Sequence, residues 1–325
     1  MASHKELESP QFRILDGGSA TELVRLGHKA IDKDPLWSSR LLQTEPGSIV
    51  KAHKNFLEVG SDLIVTVTYQ ASVEGFQEHL GVSEQGARDL IGSSVRLARQ
   101  ACQEVGQEKG VAGEATVAGS VGPYGAVLHD GSEYTGNYAE KMTTEELVDF
   151  HRPRVQALLE AGADILAVET MPIPKEAEAV VQLLREFPNS KYYVSYMCKN
   201  GDEVAHGERF SEAVRSVVQS DQVVAVGINC THPKHISPLL KSIQHLDLSK
   251  PVLVKPNSGE DWTPNEGWYG RASAPLLSSY VKEWIDLGAK WIGGCCRITP
   301  SDIADLRKVI SDLQEERATV VMRDA

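Results

Sequence analysis

The stretch Glu160-Ala-Gly-Ala-Asp-Ile165-Leu-Ala-Val-Glu169-Thr170 holds a helix end, a strand and a polar strand terminus in close succession. Gly162 can take the left-handed backbone that ends a helix, and the apolar run 165–168 follows at once. That run does not alternate, which suits a parallel strand covered on both faces. Two other stretches share the form, Glu58-Val-Gly-Ser-Asp-Leu63 and Asp286-Leu-Gly-Ala-Lys-Trp291. Three such junctions read as repeated helix–strand units, although glycine also ends helices in unrelated folds.

Working outward, short apolar runs occur at 12–15, 63–67, 116–119, 165–168, 192–196, 223–228, 252–254 and 291–293. Helical patterns separate most of them, so the chain reads as α/β. Eight strands in one chain of 325 residues predict a single (β/α)8 TIM barrel spanning 1–325. A helix is expected over 143–161, with Thr143 and Glu146 as a capping box. Pro153 removes a backbone donor inside it and predicts a kink or a late start. The segments 122–143 and 257–279 are long, glycine-containing and aromatic, in the manner of lids.

Composition narrows the functional classes. The chain is 41% hydrophobic and 24% charged, which permits a sizeable core. A net charge of −12 argues against nucleic acid and anionic membranes as partners. The segment MASHKELESPQFRI has no apolar core of a signal peptide, and no run is long enough to span a bilayer. Five cysteines, an odd number, suit free thiols or metal ligands better than a disulfide framework. The expected location is cytoplasmic.

Polar residues collect at the ends of the runs: Asp16-Gly17-Gly18, Thr66-Val-Thr68-Tyr69-Gln70, Ser120, Glu169-Thr170, Asn229-Cys230, Pro256-Asn257-Ser258 and Cys295-Cys296-Arg297. In a barrel of parallel strands these ends form one mouth, where active sites are built. Cys295 and Cys296 would face opposite sides of a regular strand, so both reach one metal only if the backbone turns. Gly293-Gly294 before them and Thr299-Pro300 after them favour such a turn. Thr299, Pro300 and Asp302 mark a helix start, whose N-terminus would favour thiolates. Three cysteines from two strand ends would leave a fourth metal position open, as catalytic zinc sites do. Spacing alone equally suits two buried small apolar residues, or a vicinal disulfide in an oxidising compartment. Cys102 and Cys198 read as packing residues. His232 and His235 sit among prolines, where polar histidine is ordinary.

At this point the residues resemble a known family. Asp16-Gly-Gly, Thr68-Tyr-Gln-Ala-Ser72, Glu169-Thr, Gly227-Ile-Asn-Cys230, Pro256-Asn-Ser-Gly-Glu260 and Gly293-Gly-Cys-Cys-Arg297 are similar to the homocysteine S-methyltransferases, from about Ile14 to about Leu306. The resemblance implies zinc on Cys230, Cys295 and Cys296. It also implies that Asp16 and Glu169 hold the amino group of L-homocysteine, with the Gly17 and Gly18 amides near its carboxylate. Thr66 and Asn257 complete the expected substrate-binding set. The Tyr-Gln-Ala and Asn-Ser-Gly-Glu segments look like the branch that uses S-methylmethionine or S-adenosylmethionine, not betaine or folate. Two positions depart from the pattern: Pro153 interrupts a helix usually rich in arginine, and Lys255 stands where tyrosine is expected, on the donor side of the pocket.

The chemistry implied is methyl transfer from a sulfonium to a zinc-bound thiolate, giving methionine. A selenol acceptor such as selenocysteine, or betaine as donor, is the alternative. Tyr124, Trp262, Trp268 and Tyr269 offer ring faces to a sulfonium, or simply pack a lid. A metal-free barrel lyase and a zinc or redox sensor are the rival classes.

Overall fold

The computed structural model describes residues 12–110, 115–263, 267–270 and 274–324. Its strands in chain order are β1 (Arg13–Ile14), β2 (Leu63–Val65), β3 (Thr116–Val121), β4 (Ile165–Met171), β5 (Tyr192–Tyr196), β6 (Val223–Asn229), β7 (Val252–Lys255), β8 (Asp261–Thr263), β9 (Gly267–Tyr269) and β10 (Ala289–Ile292). Eight of them pair in parallel in the order β1-β10-β7-β6-β5-β4-β3-β2, and a parallel bridge from Leu15 to Leu63 joins the two ends. Helices such as Glu84–Lys109, Thr144–Glu160 and Pro174–Leu184 alternate with the strands. The expected (β/α)8 barrel is what forms.

The junction repeat has the predicted backbone. Gly60, Gly162 and Gly288 take φ of 98°, 85° and 102°, between helices ending at Glu58, Glu160 and Asp286 and the strands that follow. A function invisible in the pattern belongs to the aspartates of the first two junctions. Asp62 accepts the Ile14 amide and Asp164 accepts the Val117 amide, both at 2.8 Å. Each aspartate therefore ties its own unit to the strand of the preceding one.

Inside the barrel, Leu15, Leu63, Val65, Ala118, Ile165, Ala167, Tyr193, Ala225, Leu253 and Trp291 form one buried cluster. Alanines make room for two rings, and Tyr193 and Trp291 meet edge to face with centroids 6.3 Å apart. A larger cluster fills the space between strands and helices. Each fully buried aliphatic side chain there contributes about 1.5–3 kcal/mol. Gly227 marks the tightest approach of neighbouring strands, since a Cβ there would run into the backbone carbonyl of Leu253. A backbone wall cannot rotate away, so Gly227→Ala is expected to destabilise by about 3 kcal/mol. An unchanged thermal unfolding midpoint would contradict this packing.

Local departures from the sequence reading have physical causes. The helix begins at Thr144 on its capping box and continues through Pro153 to Glu160, so its start is not delayed. β4 extends beyond 168 through Glu169 and Thr170, with a register shift between Val168 and Met171 and Thr170 at φ 61°. This bulge re-aims the polar end of β4. The long segment after β7 contains the antiparallel hairpin β8–β9, in which Trp262 and Trp268 are paired positions. Among the described residues, no helix is long and apolar enough to cross a membrane.

Candidate active site

The C-terminal end of β6 delivers Cys230, and the turn after β10 delivers Cys295 and Cys296. The three sulfurs lie within 4.8 Å of one another. Cys230 and Cys295 are joined as a disulfide with a Cα–Cα distance of 5.4 Å, and Cys296 is a free thiol. The pairing is across strands, not the vicinal one. The neighbouring cysteines converge because the chain turns at once: the Ile298 amide donates to the Cys295 carbonyl at 3.2 Å, and Arg297 takes φ 67°. Cys230 itself has φ 49°. Positive φ at Thr170, Cys230 and Arg297 costs about 1–3 kcal/mol each, and such strain gathers where geometry serves function.

Neighbouring groups hold these sulfurs in place. The Thr170 hydroxyl donates to the Cys230 sulfur at 3.7 Å. Asn229 grips Thr170, accepting its amide at 2.7 Å and donating to its hydroxyl at 2.6 Å. Arg297 donates to both carboxylate oxygens of Glu260, from Nε at 3.1 Å and from a terminal nitrogen at 3.2 Å. This fork ties the Pro-Asn-Ser-Gly-Glu segment to the Cys-Cys-Arg segment. Thr299 opens the helix Pro300–Asp324, its amide donating to Asp302 at 2.8 Å. With Cys230 and Cys295 reduced, three soft sulfurs at one point, with no carboxylate among them, form a donor set that fits zinc. His232 turns away to accept the Lys234 amide at 3.2 Å. Cys102 and Cys198 are buried free thiols outside this cluster. Burial pushes the Cys102 thiol up to about 11.

A charged trio lies beside the sulfurs. The Lys255 ammonium is 2.9 Å from Asp16 and 3.9 Å from Glu169. Lys255 thus sits between the two carboxylates. Its partners come from β1 and β4, distant in sequence but adjacent in the barrel mouth. Burial raises the pKa of Asp16 and of Glu169, and Lys255 opposes that shift at both. Burial works against the Lys255 ammonium too, but the two carboxylates outweigh it and its pKa is raised. Asp16 is further fixed by the Val65 amide at 2.7 Å, and Glu169 by the Ser120 hydroxyl at 2.6 Å.

Thr66 is tied into the strand ends around it. Its hydroxyl accepts the Ser120 amide at 2.9 Å and pairs with Thr68 at 2.8 Å, while Thr68 donates to the Ser120 carbonyl at 2.9 Å. The ring is closed, so Thr66 has no donor left and acts on Glu169 through Ser120. The Gly18 amide already has a partner, donating to the Ile298 carbonyl at 2.9 Å. Both glycines serve close approach, since a Cβ on Gly17 would lie 2.6 Å from the Ile298 oxygen and one on Gly18 2.7 Å from the Cys295 oxygen. The side-chain oxygen of Asn257 is buried with no hydrogen-bond partner among the described residues. Tyr124 packs edge to face on Tyr138 and Phe150, the lid-packing alternative. The side chains of Trp262, Trp268 and Tyr269 lie outside the described residues.

With this geometry in hand, the chain can be compared with known proteins. The family model for homocysteine S-methyltransferase matches residues 13–310. The chain belongs to the homocysteine S-methyltransferase family. It is therefore a methyltransferase. It is 42% identical to a betaine-homocysteine S-methyltransferase of Drosophila melanogaster, over 91% of this chain and 93% of that one. It is also 42% identical to a selenocysteine Se-methyltransferase of Brassica oleracea var. italica, over 94% and 91%. The structure of the Escherichia coli homocysteine methyltransferase MmuM in its metallated form superposes with a TM-score of 0.83 at 38% identity, covering 94% of this chain and 98% of that one.

Ser120 and Asn229 stand in the strand-end pattern, but nothing in sequence assigns their partners. Ser120 bonds Glu169 across the β3–β4 pair, and Asn229 on β6 reaches past β5 to bond Thr170 on β4.

Proposed function

We propose that the chain transfers a methyl group from a sulfonium donor to the thiol of L-homocysteine, forming methionine. S-methylmethionine is the first donor and S-adenosylmethionine the second. One observation carries the reading: three convergent sulfurs stand beside a buried trio of Asp16, Glu169 and Lys255. With all three ionised, the trio has one net negative charge, which a single α-ammonium cancels. An amino-acid thiol is the acceptor that such a site recognises.

Cys230, Cys295 and Cys296, as thiolates, would hold zinc. Zinc bound there would supply a soft Lewis acid that ionises the acceptor thiol, whose free pKa is about 8.5. Asp16 and Glu169 bind the acceptor ammonium, with Lys255 keeping them from repelling each other. Gly17 and Asn257 line the same end. In the transfer itself, an electron pair on the acceptor sulfur forms the new S–CH3 bond. The old sulfonium C–S bond breaks with its pair left on the donor sulfur, which departs as a neutral thioether. No general acid is required, and the remaining work of the site is positioning.

The test is methyl transfer to homocysteine from S-methylmethionine, S-adenosylmethionine, glycine betaine and methyltetrahydrofolate. Bound zinc is measured in the same reduced preparation. S-methylmethionine is expected to give the largest kcat/KM. A larger value for betaine or methyltetrahydrofolate would overturn the donor assignment while leaving the metal site standing. Betaine is the second reading because of the name of the Drosophila relative, and selenocysteine is the alternative acceptor because of the Brassica one.

A further inference from the structure

β7 ends between the two strand ends that carry the cysteines. The Lys255 carbonyl accepts the Cys230 amide at 3.2 Å, and the Pro256 carbonyl accepts the Cys295 amide at 2.8 Å. Asp16 is tied to the same place, its carbonyl accepting the Gly294 amide at 3.0 Å. The Lys255 side chain, 5% exposed, leads from there to Asp16 Oδ1 at 2.9 Å and Glu169 Oε2 at 3.9 Å. The sulfur cluster and the charged trio are thus built on the same few strand ends.

A buried ammonium has three donors to satisfy. Asp16 can take one, and Glu169 at 3.9 Å is beyond hydrogen-bonding distance. Among the described residues, these two carboxylates are the partners of the Lys255 ammonium, so it has donors to spare. The head group of an α-amino acid is a zwitterion. Its ammonium suits a trio with one net negative charge, but that same charge repels its carboxylate. The two groups share one carbon, so a cation for the carboxylate has to stand beside the receptors of the ammonium. Lys255 stands there. Two other candidate receptors are engaged. The Gly18 amide donates to the Ile298 carbonyl at 2.9 Å, and Arg297 forks onto Glu260 at 3.1 and 3.2 Å.

We propose that Lys255 is a specificity-determining residue that receives the α-carboxylate of the acceptor, donating the hydrogens that its own chain leaves unused. The inference rests on the methyl-transfer reading above and deepens it. Asp16 and Glu169 read the acceptor ammonium, and Lys255 reads the carboxylate. Charges then alternate around the head group, and the site prefers an intact amino-acid thiol to an aminothiol without a carboxylate. The carboxylate is remote from the reacting sulfur and keeps its charge throughout. The contact is therefore equally strong in the ground state and the transition state. Its loss acts on acceptor KM and not on kcat.

The test compares Lys255→Met and Lys255→Arg with the native enzyme, zinc-loaded and reduced, with donor and acceptor varied in turn. The acceptors are homocysteine and 3-aminopropanethiol, which has the same thiol and amine but no carboxylate. In the native enzyme the KM for 3-aminopropanethiol is expected to exceed that for homocysteine by about tenfold to hundredfold, the worth of a hydrogen bond between charged groups. Lys255→Met, unbranched and uncharged, should raise the homocysteine KM by about that factor. The ratio of the two KM values should then fall to within about threefold of one, the scatter of ordinary substitutions. Lys255→Arg, which keeps the charge, should retain part of the preference. A lysine that only spaces the two carboxylates would move both KM values together, so an unchanged ratio in Lys255→Met overturns the assignment. A shift confined to the donor KM overturns it too, by placing Lys255 on the donor side. Should Lys255→Met not fold, the native enzyme decides: the expected gap between the acceptors supports the receptor, and equal KM values reject it. A native enzyme that methylates homocysteine from no donor would defeat the underlying methyl-transfer reading instead.

Discussion

Cys296→Ala is expected to lose bound zinc and methyl transfer together while keeping its fold. The Cys296 sulfur lies within 4.8 Å of those of Cys230 and Cys295, so its removal leaves two sulfurs where three converge. A two-sulfur site holds zinc far more weakly. The loss of activity has a lower bound set by the acceptor. A free thiol of pKa about 8.5 is about 3% ionised at pH 7, so ionisation alone costs about thirtyfold. Lost orientation of the acceptor sulfur adds orders of magnitude, for a total of about a thousandfold or more in kcat/KM. The backbone contact at this position, from the Ser258 amide to the Cys296 carbonyl at 3.2 Å, survives the change. Metal content, turnover and thermal unfolding on one preparation check all three parts. Full turnover by a zinc-free Cys296→Ala protein would falsify the metal mechanism. A chelator acting on the native reduced enzyme should reproduce the loss.

Glu169→Gln is expected to weaken homocysteine binding by about a hundredfold, while a simple alkyl thiol loses little. The substitution keeps shape and can still accept from Ser120, which now stands at 2.6 Å. It changes the charge of the trio from minus one to zero, so the acceptor ammonium enters a site with nothing left to neutralise it. Removing one partner of a buried ion pair costs about 3–5 kcal/mol, and 1.4 kcal/mol is a factor of ten in affinity. Lys255 moderates that cost by remaining paired with Asp16 at 2.9 Å. Steady-state KM values for homocysteine and for 2-mercaptoethanol distinguish the outcomes. Equal losses with both acceptors would remove Glu169 from ammonium recognition.

Much of the architecture was legible because three junctions repeat a glycine whose left-handed backbone is dictated by helix ending. Strand extents were less so. β4 runs on through Thr170 because of a bulge at positive φ, which no residue preference announces. The cysteine triplet was legible as a motif, and the structure brings its sulfurs together. The partners of the residues around it were not legible, because they lie far off in sequence. The Thr66 hydroxyl closes a ring through Ser120, and the Gly18 amide goes to Ile298. The partners of Lys255, Asp16 and Glu169, are brought beside it only by barrel closure.

The sulfurs come from the ends of β6 and β10, with β7 lying between those strands in the sheet and 65 residues separating Cys230 from Cys295. A chain still emerging from synthesis, or one with β7 unseated, holds only a lone cysteine or an adjacent pair. Loop-closure entropy over that span disfavours capture of an ion before the sheet is complete. Metal uptake at the proposed site is therefore expected late in maturation. An ion captured there would act as a clasp that fastens the closing quarter of the barrel, adding stability that grows with metal concentration.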